Sequence, residues 1–308
     1  MKRLTLYIDK WYIIGAVCTD GIPHLICPSN KEDRFWLYFY EDVINDEVVY
    51  GKENQSHYRN NEPHYYGDVF SLITDKTNSF VRYGRKQDIH QIFKASGIIQ
   101  KIKDAVDEST NEKIETYLSF SCDISDGARL IFIRDVLTPD NFDIKESVAR
   151  IGHLALEHSL RNGRLSNEGF YIVLNACNEN LNYSIYVYKD GLFLRKNEAT
   201  LNGMGTDLRS RALLENVVYA INKTQHFLHT ESDFENEYLR LSQHVDDWII
   251  RLENAKPGRP IIIPNVTFSS LTNSYSATVL KKAIDDRTRS IVEDIIREIT
   301  TFVKNTGL

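Results

Sequence analysis

The sequence lacks a long hydrophobic run, because no window approaches the roughly 18 consecutive apolar residues of a membrane-spanning helix. Near the N-terminus, Asp9, Lys10 and Trp11 interrupt the apolar segment, so it does not have the continuous apolar stretch of a secretion signal. We read this segment as a β-strand. The two absences predict a soluble protein that has no membrane partner.

Cysteine is scarce, and its four positions show neither Cys-x-x-Cys spacing nor a histidine cluster that would indicate zinc. We therefore expect no metal, and we expect buried, reduced thiols in a cytoplasmic protein. Positive charge is also not in excess, since 37 Lys and Arg residues face 43 Asp and Glu residues. A nucleic-acid surface needs a clustered positive field, so we expect no nucleic-acid partner.

Length and pattern together predict the organisation of the chain. A chain of 308 residues exceeds the roughly 250 to 300 residues at which single cores stop growing, which favours two lobes. Strand-like runs separated by turn signals occur near the N-terminus and again over 170–199, and helical spacing follows each time. This repetition predicts an α/β protein made of a duplicated domain with a cleft between the copies.

The turn at 175–180 contains no glycine, although its surroundings resemble a phosphate-binding hairpin. An apolar run beginning at Tyr171 enters the polar turn 175–180, and an alternating strand leaves that turn toward the hairpin signal Asp190-Gly191. This is the outline of a phosphate-binding hairpin. A phosphate site needs glycines in such a turn, because only residues without a Cβ let several backbone N–H groups converge on one anion.

Six short motifs, in order and with similar spacing over nearly the whole chain, resemble the Hsp70 chaperone family. The nucleotide-binding domain of that family has an actin-like fold, in which two lobes flank an ATP cleft. The motifs are Tyr7-Ile8-Asp9, Gly51 with Asn54-Gln55 and 61–63, 68–73, 125–135, 205–211 and 253–256.

The resemblance implies specific boundaries. Lobe I would span 1–165, with a lower subdomain at 1–40 and 105–165 and a small upper subdomain at 41–104. Lobe II would span 166–308, with a lower subdomain at 166–205 and 288–308 and a helical upper subdomain at 206–287. In the family a further strand follows the last long helix, so we expect the full protein to continue beyond Leu308.

The matching positions lack the residues with which the family binds and hydrolyses ATP. Trp11 stands at a glycine of the first phosphate loop, and Phe70 stands at the catalytic lysine. In the second loop an amide, Asn175, replaces a metal-facing aspartate, and Glu179 falls where the triphosphate would lie. A carboxylate there is repelled by about 1 to 4 kcal/mol at 4 Å, depending on screening. The glutamate of the interlobe hinge matches Arg150.

Four positions remain as weak candidates for nucleotide binding by resemblance: Asp9, Gly205, Glu253 and Lys256. The resemblance implies ATP or ADP with magnesium. Asp9 would either hold the metal through water or only begin a turn after the strand. Glu253 and Lys256 lie three residues apart, so both would reach a ligand from one helix face, but a solvated ion pair has the same spacing. We assign no catalytic residue.

Three functions stay open. Phosphoryl transfer depends on positioning and charge stabilisation, so the loss of both loops and the lysine favours a non-hydrolysing Hsp70-like module that contacts a protein partner or client. The alternative is an ATP-binding chaperone domain with weak ATPase activity. The third is an unrelated enzyme with a thiolate pair of Cys177 and His153, although a turn cysteine and a hydrogen-bonded core histidine explain these residues more simply.

Overall fold

The computed structural model describes residues 3–19, 22–29, 32–42, 44–45, 47–60, 62–73, 79–82, 85–106, 114–145, 151–165, 168–177, 179–228, 230–256 and 258–307. The chain is a mixed α/β protein. Its strands are β1 (Arg3–Ile8), β2 (Tyr12–Thr19), β3 (Ile22–Ile26), β4 (Phe35–Trp36), β5 (Phe39–Asp42), β6 (Glu47–Tyr50), β7 (Tyr65–Tyr66), β8 (Ser79–Arg82), β9 (Arg85–Asp88), β10 (Ile114–Phe120), β11 (Phe142–Ile144), β12 (Gly169–Ala176), β13 (Leu181–Lys189), β14 (Leu192–Leu201), β15 (Pro260–Val266) and β16 (Tyr275–Leu280).

Helices follow the strands as the spacing of apolar residues predicts. A π-helical turn, Phe132–Leu137, continues the fifth helix, and none of the helices described is long and apolar enough to cross a membrane. The α-helices are α1 (Asn54–Arg59), α2 (Val69–Leu72), α3 (Ile89–Ala95), α4 (Ile98–Val106), α5 (Asp126–Ile131), α6 (Ile151–Arg161), α7 (Leu208–Gln225), α8 (Glu231–Leu241), α9 (Val245–Glu253) and α10 (Lys281–Asn305).

The chain forms two compact units, which comprise residues 1–175 with 186–194, and residues 176–185 with 195–308. The predicted lobe and subdomain boundaries stay a prediction. Both predicted meanders are present as β1-β2-β3 and β12-β13-β14. The second one contains the predicted hairpin, since Asp190 and Gly191 have φ values of 51° and 79°, in the left-handed region that such turns require.

The first unit is built on a sheet with the order β11-β10-β1-β2-β3, in which β4 also pairs with β2. Strands β1, β2 and β3 are antiparallel, whereas β10 is parallel to β1 and β11 is parallel to β10. Side chains alternate along β1, so Leu4, Leu6 and Ile8 are fully buried in the main core. The carboxyl ends of β1 and β10 therefore meet at one edge of the sheet.

Local sequence signals account for several element ends in this unit. The Ser125 side chain accepts a hydrogen bond from the Ala128 backbone N–H at 3.2 Å and so caps α5, as a serine at the start of a helical segment predicts. The expectation of buried, reduced thiols is wrong for three of the four cysteines. Cys27 is exposed after β3, the edge strand of the sheet, and Cys122 and Cys177 are disulfide-bonded. Cys18 on β2 is a half-buried free thiol.

The second unit packs α7, α9, β15, β16 and the start of α10 around a core that includes Leu213, Val217 and Leu252. The sequence predicts one long helix through Leu241 and Leu252, and this is wrong. Helix α8 ends at Leu241, a 3-10 turn covers Ser242–His244, and α9 follows. The Ser242 hydroxyl donates to the Leu239 carbonyl at 2.7 Å, and such side-chain bonds to the backbone compete with the regular helical ladder.

Candidate functional site

The chain leaves β1 through a two-residue turn that uses its own polar groups. The Asp9 backbone N–H donates to the Tyr12 carbonyl at 2.9 Å. The Trp11 backbone N–H donates to Asp9 Oδ1 at 3.1 Å. A phosphate loop presents free N–H groups to an anion, and here these two amides are bonded within the turn itself.

Burial and local hydrogen bonds determine the electrostatics of Asp9, whose side chain lies at the carboxyl end of β1. Asp9 is 4% exposed, and this burial raises the pKa of its carboxyl above the usual value, against the opposing effect of the Trp11 N–H and the Ser121 hydroxyl. The Ser121 backbone N–H donates to the Ile8 carbonyl at 2.8 Å, which places the end of β10 beside Asp9. Asp9 is therefore suited to hold a proton or, once ionised, a cation.

A neighbouring ion pair neutralises the only lysine of this turn. Lys10 is 8% exposed, and its Nζ lies 3.1 Å from Asp68 Oδ2. Asp68 adopts the left-handed conformation with φ of 44° and caps α2 by accepting from the Ser71 backbone N–H at 3.3 Å. The ammonium group of Lys10 is thus committed to a carboxylate of the same unit.

Stacked rings hold Trp11, which the resemblance places at a glycine of the first phosphate loop. Its ring stacks on Tyr38 with a centroid distance of 5.5 Å and an interplanar angle of 14°, and Tyr58 lies 6.2 Å away. Tyr38 is 2% exposed, and its hydroxyl accepts a hydrogen bond from Gln55 Nε2 at 2.9 Å. Packing therefore keeps the bulky indole in the turn.

Phe70, which the resemblance places at a catalytic lysine, belongs to the core. It is 3% exposed, and its ring meets Phe132 edge-on at a centroid distance of 5.4 Å. A side chain at this position points into apolar packing, where a charged group would lose its hydration.

In the second unit the turn after β12 and the segment before α7 bind each other through the backbone. The Cys177 N–H donates to the Asn180 carbonyl at 2.9 Å. The Gly205 N–H donates to the Glu179 carbonyl at 2.9 Å, and the Thr206 N–H donates to the Cys177 carbonyl at 2.7 Å. These three amides are thereby satisfied by protein carbonyls.

Two degenerate positions lie outside this arrangement. Asn175, near the end of β12, is half-buried, and its carbonyl oxygen is 3.9 Å from Cys122 Sγ. Arg150 lies outside the described residues, so its match to the hinge stays a prediction. The third hypothesis, a thiolate pair of Cys177 and His153, is wrong, because Cys177 is disulfide-bonded and offers no free thiol. The His153 ring lies 6.1 Å from that of Tyr186.

Glu253, the candidate on α9, is held by two cations of its own unit. Arg209 Nη2 lies 2.8 Å from Glu253 Oε1, and Lys281 Nζ lies 2.9 Å from Glu253 Oε2. The hydrogen bond from Lys281 lowers the pKa of the Glu253 carboxyl. Arg209 also reaches Asp285 at 2.7 Å, so the four side chains form one network.

Lys256 does not share a helix face with Glu253, and that prediction is wrong. Helix α9 ends at Glu253, and Lys256 follows it as an exposed residue. The residue before a proline is pushed out of the helical region, and Pro257 follows Lys256 directly in the sequence. The i to i+3 geometry that would have brought both side chains to one ligand is absent.

Sequence reasoning missed an exposed apolar surface on the first unit. Tyr171, Val173 and Phe193 pack with α6, so the residues that alternate with them point to the opposite side of the sheet. We call this side the outer apolar face. It consists of Phe170, Ile172, Leu174, Leu192 and Leu194, which are 59%, 47%, 55%, 63% and 51% exposed.

A sequence signal for the outer apolar face existed. Apolar residues occupy both alternating sets of β12, from Phe170 to Leu174, whereas a strand with one face in water alternates apolar with polar residues.

Comparison with known proteins does not identify a family for this chain. No protein-family model matches the chain, and no curated protein matches it.

Proposed function

We propose that this protein is an Hsp70-like module with a degenerate nucleotide site, which does not hydrolyse ATP and acts through contact with a protein partner. The sheet of the first unit supports the proposal, since an actin-like lobe is built on a mixed sheet of this kind. On this scaffold, we propose, the residues that bind and hydrolyse the phosphates of ATP have been replaced.

The observation that carries the proposal is the state of the Asp9–Tyr12 turn. Phosphate binding there would require the Trp11 N–H to leave Asp9 and the indole to leave its stack on Tyr38. An aromatic pair is worth about 0.5 to 1.5 kcal/mol beyond its buried area, and a hydrogen bond to a charged group about 1.5 to 3 kcal/mol. Both would be lost before any phosphate contact formed.

The other matched positions support the same conclusion. Phe70 lies in the core, and the Gly205 N–H is bonded to a protein carbonyl. Both carboxylate oxygens of Glu253 are paired with cations of the protein. A nucleotide would have to compete with interactions that the folded chain already makes.

The outer apolar face supports the second half of the proposal, action through protein contact. Its five large apolar side chains each expose about half or more of their surface on one side of a single sheet. Contiguous exposed apolar patches on proteins mark interaction sites, whereas isolated exposed apolar residues are common and carry no such meaning.

Calorimetric titration of the full chain with ATP and with ADP, each with and without magnesium, tests the proposal. We expect no heat of binding and no thermal shift at millimolar nucleotide. Micromolar binding of ATP would overturn the degenerate-site proposal. Trp11→Phe serves as a matched variant, because it keeps an aromatic ring on Tyr38 and should give the same silent titration.

One observation favours the alternative, an ATP-binding chaperone domain with weak ATPase activity. Asp9 remains a buried carboxylate at the carboxyl end of β1, which is where ligands bind in open α/β sheets. Magnesium-dependent binding that disappears in Asp9→Asn would select this alternative, whereas binding that needs no magnesium would point to the adenosine side alone.

A further inference from the structure

A groove in the second unit lies between α7 and α8 and is separate from every residue discussed as a nucleotide contact. Its volume is about 460 Å³, within the roughly 300 to 1,000 Å³ typical of small-molecule sites. The residues that line it are Glu215, Val218, Tyr219, Asn222, Leu228, Thr230 and Phe234.

Most of the wall is apolar or aromatic. Val218 is buried at the base, Leu228 and Phe234 are half-buried, and Tyr219 is 70% exposed at the opening. The Asn222 side chain fixes the loop that closes one end, because its Oδ1 accepts from the Phe227 and Leu228 backbone N–H groups at 2.9 and 3.0 Å. The wall is therefore formed by α7 and by the loop after it, which hydrogen bonds to α7 hold in place.

The charge of the groove is negative. Among the lining residues that the structure describes, Glu215 is the charged one, and its Oε1 is 3.4 Å from Arg211 Nε, a long contact. This carboxylate favours a cation.

The rings favour the same kind of ligand. Tyr219 and Phe234 line the groove together with Glu215, and the face of an aromatic ring attracts a cation within about 6 Å of its centroid. An anion such as a nucleotide would be repelled by Glu215. A neutral apolar molecule would gain no ion pair with this carboxylate, whose contact with Arg211 is long.

We propose that this groove binds an organic ammonium ion that carries an aromatic or aliphatic body, with the ammonium at Glu215 and the body against Val218, Leu228 and Phe234. A free amine and the lysine side chain of a peptide present this same chemistry. The proposal does not depend on the state of the nucleotide site.

Calorimetric titration of the full chain with phenethylamine and with its neutral analogue 2-phenylethanol tests the charge requirement directly. We expect phenethylamine to bind about five- to tenfold more tightly, since a half-exposed ion pair contributes about 1 kcal/mol. Glu215→Gln should remove this difference. Glu293→Gln, the same change at an exposed glutamate of α10, should leave it unchanged.

Equal binding of the two probes, or a preference that survives in Glu215→Gln, would overturn the proposal. Tyr219→Ala is a second variant that should weaken phenethylamine binding, and its exposed position makes loss of folding unexpected. Circular dichroism of each variant verifies the fold. An acetylated and amidated Phe-Lys dipeptide then distinguishes the two sources, because tighter binding of the dipeptide than of phenethylamine identifies a basic peptide as the ligand.

Discussion

At the residue scale, burial affects two adjacent charged residues of the β1–β2 turn in different ways. Lys10 is buried but has a carboxylate partner in Asp68 at 3.1 Å, so its charge is compensated. Asp9 is buried with hydrogen-bond donors around it, and burial dominates its titration. A buried charge is tolerated when it is paired, and otherwise the group shifts its pKa toward the neutral form.

The raised pKa of Asp9 makes stability depend on pH in a defined direction. As the pH rises from the usual pKa of 3.8 through the higher pKa of the folded state, the unfolded chain ionises first and the contribution of Asp9 to folding stability falls. Asn at position 9 can still accept from the Trp11 N–H but does not ionise. The unfolding free energy of Asp9→Asn should therefore rise relative to that of the parent protein between the two pKa values. At higher pH the difference between the two proteins should stay constant.

Urea unfolding of both proteins between pH 3.5 and 8, read by circular dichroism, measures this difference. A difference that does not change with pH would show that Asp9 titrates normally.

Phe70→Lys introduces the residue type that the proposed Hsp70 resemblance places at this position, and it should nevertheless destabilise the fold. The ammonium group would be placed beside Phe132 in the core, and unpaired buried charges are among the most destabilising changes, so we expect a loss of more than about 3 kcal/mol. ATP hydrolysis should remain absent. Phe70→Leu is the control, because it keeps an apolar side chain and should cost less; urea unfolding and phosphate release are the two measurements.

At the element scale, one buried carboxylate of α8 holds the loop that follows β15. Glu237 is 2% exposed, accepts from the Ser269 backbone N–H at 2.7 Å and from Arg240 Nε at 2.9 Å, and also contacts the Ser269 hydroxyl. Arg240 in turn donates to Thr267 Oγ1 at 3.2 Å. Side-chain hydrogen bonds, rather than a strand pair, connect this loop to the helix.

Glu237→Ala should cost about 3 to 5 kcal/mol in unfolding free energy, because it leaves Arg240 and the Ser269 N–H without their buried acceptor. Hydrogen exchange should show the amide of Ser269 losing protection first. The control is Glu293→Ala on the exposed side of α10, where a surface change of this kind stays within about 0.5 kcal/mol. Equal losses for the two variants would contradict the role of Glu237.

At the scale of the whole molecule, the outer apolar face departs from an ordinary surface, because five large apolar side chains are exposed on one side of one sheet. An apolar dye such as 8-anilinonaphthalene-1-sulfonate should bind the native protein at this face and fluoresce. Ile172→Lys should reduce that fluorescence while changing the unfolding free energy by no more than about 0.5 kcal/mol, since Ile172 is 47% exposed.

Leu130→Lys provides the matched comparison. Leu130 is an apolar residue of α5 that is 67% exposed and lies outside the outer apolar face. Its replacement should leave the dye signal unchanged. A similar drop in both variants would mean that the dye reports scattered apolar residues and not one surface.

Prediction from the sequence succeeded for features encoded in short windows. The meanders β1-β2-β3 and β12-β13-β14, the cap at Ser125 and the helix α10 all follow from alternation, turn residues and helical spacing. It failed at the break before α9, where the Ser242 hydroxyl bonds to the Leu239 carbonyl, and for the last residues before Lys256, since α9 already ends at Glu253.

By itself, the sequence determined the mixed α/β class, the order of the main elements and the residue types at each candidate position. Tertiary structure alone decided what those residues do. Trp11 stacks on Tyr38, Lys10 pairs with Asp68, and Glu253 pairs with Lys281. The physical reason is one of range: hydrophobic period and turn propensity depend on neighbours in the chain, whereas burial, ion pairing and pKa depend on groups that folding brings together from 27 to 58 positions apart.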